Sequence, residues 1–237
     1  MTIKVNPLKA LFRLVFPNQC SACKSRLLDN EQYLCNGCLT TMLMDTHQSS
    51  KRVMVTKVLK NLPEIVDYNM LFYYNKENNF SSVIQRIKYN NKPKLGTMLG
   101  EVSATELAKW FEVCNVDALV PIPLHAARER KRGFNQSMMI AQGISNKTHI
   151  PILNDAIVRT KNNKTQTHKN AAERSENVKG IFHVAHPEKV IGRRLMLIDD
   201  VMTTGSTINE CAKTIKSVDS SIELFAFTLS KADDFFQ

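Results

Sequence analysis

The residues Leu195-Met-Leu-Ile-Asp199-Asp200-Val-Met-Thr203-Thr204-Gly205-Ser206-Thr207, followed by an amphipathic run, read as a buried strand, two carboxylates, a hydroxyl-rich turn and the start of a helix. That order describes a phosphate and sugar site. Gly205 permits a sharp turn, Ser206 and Thr207 add hydroxyls, and the unpaired amides and dipole of a helix start favour an anion. Asp199 and Asp200 would repel the same anion. They are better spent on ribose hydroxyls or on a hydrated magnesium ion, so the element as a whole describes a site for a phosphorylated sugar.

Around this element the chain alternates strands and helices. The pattern predicts strands over Met70–Tyr74, Val116–Pro121, Leu195–Ile198 and Ile222–Leu229, and helices over Ser81–Lys88, Leu95–Cys114, Asn135–Ser145 and Ser206–Ser217. Such a succession argues for an α/β fold with a parallel sheet flanked by helices. Ligands of these sheets bind beyond the carboxyl ends of strands, where the strand order reverses. A second such end reads Val120-Pro-Ile-Pro123-Leu124-His125-Ala-Ala-Arg128-Glu-Arg-Lys-Arg132-Gly-Phe-Asn135-Gln136. Its arginines suit phosphate oxygens, so Pro123, Leu124, His125, Arg128 and Arg132 are expected to form a basic loop facing phosphates, with Asn135 capping the next helix. His125 is the nearest titratable group, expected to pack in the loop or contact phosphate rather than act as a general base.

Cys20, Cys23, Cys35 and Cys38 form two Cys-x2-Cys knuckles eleven residues apart. Each knuckle aims two thiolates at one ion, so the four are expected to hold a structural zinc with no open coordination position. Disulfides would need an oxidising compartment. Cys114 and Cys211, alone in helical patterns, read as small buried apolar residues.

At 237 residues and 43% apolar, the chain can form a small module and a larger domain. The division is expected near residues 50–65, giving a zinc-binding module and linker over 1–60 and a sheet domain over 61–237. No apolar run reaches the length of a membrane span, and the helical spacing of Leu8, Leu11, Phe12 and Val15 is interrupted by Lys9 and Arg13. That segment reads as a helix packed on its own protein, with a membrane-surface helix as the weaker option. A cytoplasmic location without membrane insertion is expected. The net charge is +10, and residues 1–62 hold nine Lys or Arg against three acids. This density points to a polyanionic partner, while the lack of an aromatic ladder argues against sequence-specific readout.

The Asp199–Thr207 element resembles the signature with which type I phosphoribosyltransferases bind 5-phosphoribosyl-1-pyrophosphate (PRPP). Together with Pro-x-Pro-Leu-His, Arg-Gly-Phe-Asn-Gln and the four cysteines, it resembles the ComF/GntX family of phosphoribosyltransferase-domain proteins over nearly the whole chain. A third element supports this resemblance: Arg159, Lys161, Gln166, Arg174, Asn177 and Val178 stand at matching positions, followed by Gly180 and Phe182, with Asn163 where a threonine is common. Lys161–Glu176 reads as a mobile loop able to cover a ligand.

The resemblance implies a type I phosphoribosyltransferase-like parallel sheet with a small N-terminal four-cysteine zinc module. It implies PRPP, accompanied by Mg2+, with its ribose and 5-phosphate on Asp199, Asp200, Thr203, Thr204, Gly205, Ser206 and Thr207. The pyrophosphate would lie on the Pro123–His125 loop, Arg128 and Arg132. It further implies a role in natural transformation, handling internalised single-stranded DNA beside competence-machinery proteins. No acceptor pocket and no general base stand out, so two other readings stay open. One is a metabolic or salvage phosphoribosyltransferase with an unidentified acceptor; the other is a zinc-finger DNA-binding regulator without ligand chemistry.

Overall fold

The computed structural model describes residues 18–44, 48–74, 80–89, 92–161 and 180–232. The expected helix at Leu8–Val15, and Gln166, Arg174, Asn177 and Val178 of the third element, lie outside them. Four strands build the central sheet: β1 (Asp67–Tyr74), β2 (Ala118–Pro121), β5 (Arg194–Met202) and β6 (Glu223–Ala232). Their order is β1-β6-β5-β2, and every pairing is parallel.

The strands are buried on both faces, as a parallel sheet covered by helices requires. Their side chains alternate between two cores. Met196, Ile198, Phe225 and Phe227 enter one, while Leu195, Leu197, Leu224 and Ala226 enter the other. On the first face lie α4 (Pro93–Glu106) and α7 (Gln136–Thr148). They touch backbone to backbone: a Cβ on Gly143 would stand 2.0 Å from the Thr97 carbonyl, and one on Gly100 2.3 Å from that of Ile140. The second face is covered by α8 (Ser206–Lys216) and by the short antiparallel pair β3 (Ile157–Arg159) and β4 (Phe182–Val184).

Several elements differ from the sequence expectation for identifiable reasons. The helix expected over Leu95–Cys114 is broken at Leu107 into α4 and α5 (Ala108–Cys114). The break lets Trp110 donate to Asp67 Oδ2 at 2.7 Å and pack against Phe111 and Phe227. The strand expected to stop at Ile198 runs on to Met202, with Asp199 beside Thr228 and Val201 beside Ser230 of β6. The Arg128–Arg132 stretch is a helix, α6 (Ala126–Arg132), rather than a loop. His125 caps it, its Nδ1 accepting from the Ala127 amide, and Gly133 ends it in a left-handed turn.

The four cysteines lie on a knuckle and the start of α1 (Asn36–Met44), followed by α2 (Gln48–Lys60), which occupies the stretch read as a linker. Val58, Leu62 and Ile65 pack into the second core, whereas Cys20, Ala22, Leu27, Leu34 and Met42 pack into the first. Among the described residues no helix is long and apolar enough to cross a membrane.

Candidate functional site

β2 and β5 are neighbours, and just past the carboxyl end of β2 the Ile122 amide donates to the Ile198 carbonyl at 2.9 Å, four residues before β5 ends. Hydrogen bonds then join the motifs that the sequence keeps apart. Asn135 Nδ2 donates to the Ile122 carbonyl, its Oδ1 accepts from the Ser137 amide, and Ser137 Oγ donates to Asp199 Oδ1 at 3.0 Å. Asn135 thus caps α7 as expected while holding the strand end in place.

Both carboxylates are engaged. Asp199 Oδ1 also accepts the Asp200 amide at 2.9 Å. Asp200, 8% exposed, is ion-paired with Lys88 Nζ at 3.2 Å from the end of α3 (Ser81–Tyr89). Burial, then the adjacent charge of Asp200, raises the Asp199 carboxyl to about 7, against the opposing pull of the Asp200 amide, Lys88 and Ser137. Lys88 and Ser137 were not singled out in the sequence. Ser137 directly follows the Asn-Gln pair of a recognised motif, but Lys88 carries no local signal because its partner is remote in sequence.

After Met202 the chain turns through Thr203 and Thr204 to Gly205, the residue before α8, at φ +79°. Thr204 and Ser206 hydroxyls lie 2.8 Å apart. Thr203, Thr204, Ser206 and Thr207 are half-buried. The glycine has a structural reason beyond its dihedral: a Cβ there would lie 3.1 Å from Leu62 Cδ2. Its substitution would therefore press on the second core rather than crowd the turn's hydroxyls.

On α6, Arg128 and Arg132 are one turn apart and half-buried, while Arg130 and Lys131 are exposed. Arg132 donates to Gln136 Oε1, and Gln136 Nε2 is buried without a partner among the described residues. Arg159, on β3, lies over the Phe182 ring at 5.8 Å. Burial and then the like charge of Arg128 lower its affinity for a proton, with Asp199 opposing. Arg159 therefore lies in the field of both Arg128 and Asp199. The Thr160 amide donates to the Ile181 carbonyl, which extends the β3–β4 pairing by one hydrogen bond.

The cysteine sulfurs of residues 20, 23, 35 and 38 all lie within 4.8 Å of one another, and those of Cys23 and Cys35 are 3.8 Å apart. Four thiolates at Zn–S distances of about 2.3 Å have sulfurs about 3.8 Å apart, so the set fits a tetrahedral zinc. Amides of Cys35 and Cys38 donate to the sulfurs of Cys20 and Cys35. The Ser25 hydroxyl and amide lower the Cys23 thiol to about 6, whereas burial and the neighbouring thiols push Cys38 up. A divalent cation removes that conflict by favouring all four thiolates. The cluster can therefore hold a metal such as zinc. Cys114 and Cys211 are buried, and burial pushes both thiols up.

No family model matches the chain. Among curated proteins it is 32% identical over 142 residues to competence protein F of Haemophilus influenzae, covering 58% of this chain and 62% of that one. It is 32% identical over 136 residues to the DNA utilization protein YhgH of Escherichia coli K12, covering 56% and 59%. These matches span about three fifths of the relatives' own length. Competence protein ComFC of Bacillus subtilis is 24% identical over 231 residues, covering 94% of this chain and 89% of that one. Solved structures give distant likenesses: an allosteric regulatory enzyme of purine biosynthesis (TM-score 0.41, 16% identity, 62% of this chain and 30% of that one) and a purine phosphoribosyltransferase from Pyrococcus horikoshii (TM-score 0.35, 12% identity, 56% and 82%). The resemblance seen in the motifs thus extends to named proteins, and this chain is a homologue of the ComF-like competence and DNA-utilization proteins.

Proposed function

We propose that the protein binds PRPP with Mg2+ at the carboxyl ends of β2 and β5 and takes part in DNA uptake by handling single-stranded DNA in the cytoplasm. The observation that supports this most is the chain of bonds from Ile122 through Asn135 and Ser137 to Asp199, which joins a basic phosphate-facing segment to an acidic sugar-facing one. In this reading Asp199 and Asp200 hold the ribose hydroxyls or magnesium, and the Thr203–Thr207 turn takes the 5-phosphate. Arg128, Arg132 and the Pro123–His125 loop meet the pyrophosphate, with Arg159 and Lys161 at the base of the segment that would cover it.

Two guanidiniums that repel each other beside a carboxylate suit a ligand with anionic phosphates and a polyhydroxyl ring. Magnesium bound to pyrophosphate would neutralise charge that the arginines cannot. Zinc would be structural, since four thiolates leave no open position, and residues 1–60 and 61–237 would form the two parts of the chain. The names of the relatives, competence and DNA utilization, support DNA as the partner.

Titrating PRPP with and without Mg2+ tests the ligand. Saturable, Mg2+-dependent binding is expected, and no binding by folded, zinc-loaded protein would overturn it. Salvage phosphoribosyl transfer to an unidentified acceptor is the second reading. Steady-state release of pyrophosphate with any base or amine would favour it.

A further inference from the structure

Lys88 is carried to the acidic pair by a helix held in place along its length. Val83, Ile84 and Ile87 of α3 are buried in the first core, and Ser82 Oγ in its first turn donates to the Ser21 carbonyl of the cysteine knuckle at 2.9 Å. The last turn brings the Lys88 ammonium to 3.2 Å from Asp200 Oδ1. Asp200 itself is buried, at 8% exposure. Asp199 is engaged at one oxygen, since the Asp200 amide and the Ser137 hydroxyl both donate to its Oδ1.

These surroundings suit a sugar diol better than a metal ion. Magnesium keeps several waters in a nearly regular octahedron, and a carboxylate this enclosed and already paired leaves little room for them. A divalent cation on Asp200 would also stand beside the lysine ammonium, two positive groups sharing one carboxylate with little water to screen them. A hydroxyl brings no charge, and a carboxylate that already accepts one ammonium still has lone pairs for it. We propose that Lys88 determines what the sugar-phosphate site accepts: its ammonium occupies at Asp200 the position that a divalent cation would take. The acidic pair then receives ribose hydroxyls, and Mg2+ is held by the phosphates of the ligand. This rests on the PRPP reading and decides, between ribose and magnesium, what its acidic residues hold.

The test uses the full chain with zinc bound and Mn2+ in place of Mg2+, the free ion being counted by its electron paramagnetic resonance signal. Without PRPP, Lys88→Gln is expected to acquire a Mn2+ site roughly tenfold or more tighter than any in the parent. K88Q/D200N should lose that site again, and Lys88→Arg, which restores the cation, should not acquire it. A Mn2+ site in the parent that Asp200→Asn removes overturns the proposal, as does a folded Lys88→Gln that gains none. Should Lys88→Gln not fold, the parent and Asp200→Asn decide alone: equally weak Mn2+ binding supports the proposal, and weaker binding by Asp200→Asn overturns it. Repeating the titration with PRPP separates the two claims. A parent protein that takes up no more Mn2+ with PRPP than without it overturns the PRPP reading and the proposal together. A failure confined to the titrations without PRPP overturns the role of Lys88 and leaves the PRPP reading standing.

Discussion

Lys88 Nζ lies 3.2 Å from Asp200 Oδ1, at the last turn of a helix whose first turn is bonded to the cysteine knuckle through Ser82 and Ser21. The pair is largely shielded, with side-chain exposures of 27% and 11%. Removing the cation leaves a carboxylate beside Asp199 with no counter-ion among the described residues, so Lys88→Met is expected to destabilise the protein by about 1–2 kcal/mol. In an Asp200→Asn background the same substitution is expected to cost much less. Denaturant titration of the four proteins measures the coupling, and additive effects would show that the pair contributes no interaction energy.

Asp199 sets a pH dependence of opposite sign to that of an ordinary ion-paired carboxylate. Its folded value of about 7 lies above the usual 3.8, so the folded state keeps a proton that the unfolded chain has released. Stability of the ligand-free protein is therefore expected to fall as pH rises through the window between those two values. Asp199→Asn should abolish this slope, matching the parent near the lower end and exceeding it above the upper end. Thermal melts across that range check the sign; a parent protein that gains stability over the window contradicts it.

Gly205 is bound to its identity by φ +79° and by Leu62. Gly205→Ala is expected to cost about 1–2 kcal/mol, and Gly205→Asn less, because asparagine tolerates left-handed backbone. Urea midpoints for the two variants test this. Equal costs would mean that contact with Leu62, rather than the dihedral, dominates.

The knuckle should contain about one zinc per chain. Because the cysteine segment shares a core with Phe72, Ile84 and Leu99, stripping the metal is expected to loosen α3 as well as the knuckle. Cys35→Ser, which also loses the sulfur that accepts the Cys38 amide, should lower zinc content and solubility. Elemental analysis and hydrogen exchange over residues 81–89 give the readout; unchanged exchange after chelation would show the two to be independent.

Local chemistry was readable where one segment supplies it. The buried strand, the acidic pair, the glycine turn and the cysteine spacing each lie within a short stretch, although the acidic pair falls inside β5 rather than beyond its end. What sequence could not reveal depends on remote partners. Lys88 matters only because α3 brings it to Asp200, and Ser137 because α7 packs beside β5. Helix α2 was hidden in a polar, lysine-rich stretch, yet Val58 is buried against the sheet. The break at Leu107 follows from the fit of Trp110 to Asp67, which helical periodicity does not encode.

Isothermal titration of PRPP into the zinc-loaded protein, with and without Mg2+, tests the central claim most directly. The account predicts saturable binding at about one site per chain in the presence of Mg2+. Affinity should fall roughly ten- to hundredfold in Asp200→Asn, which keeps the shape of the side chain and removes its charge. Equal heats in the parent and in a folded Asp200→Asn, or none in either, would contradict it.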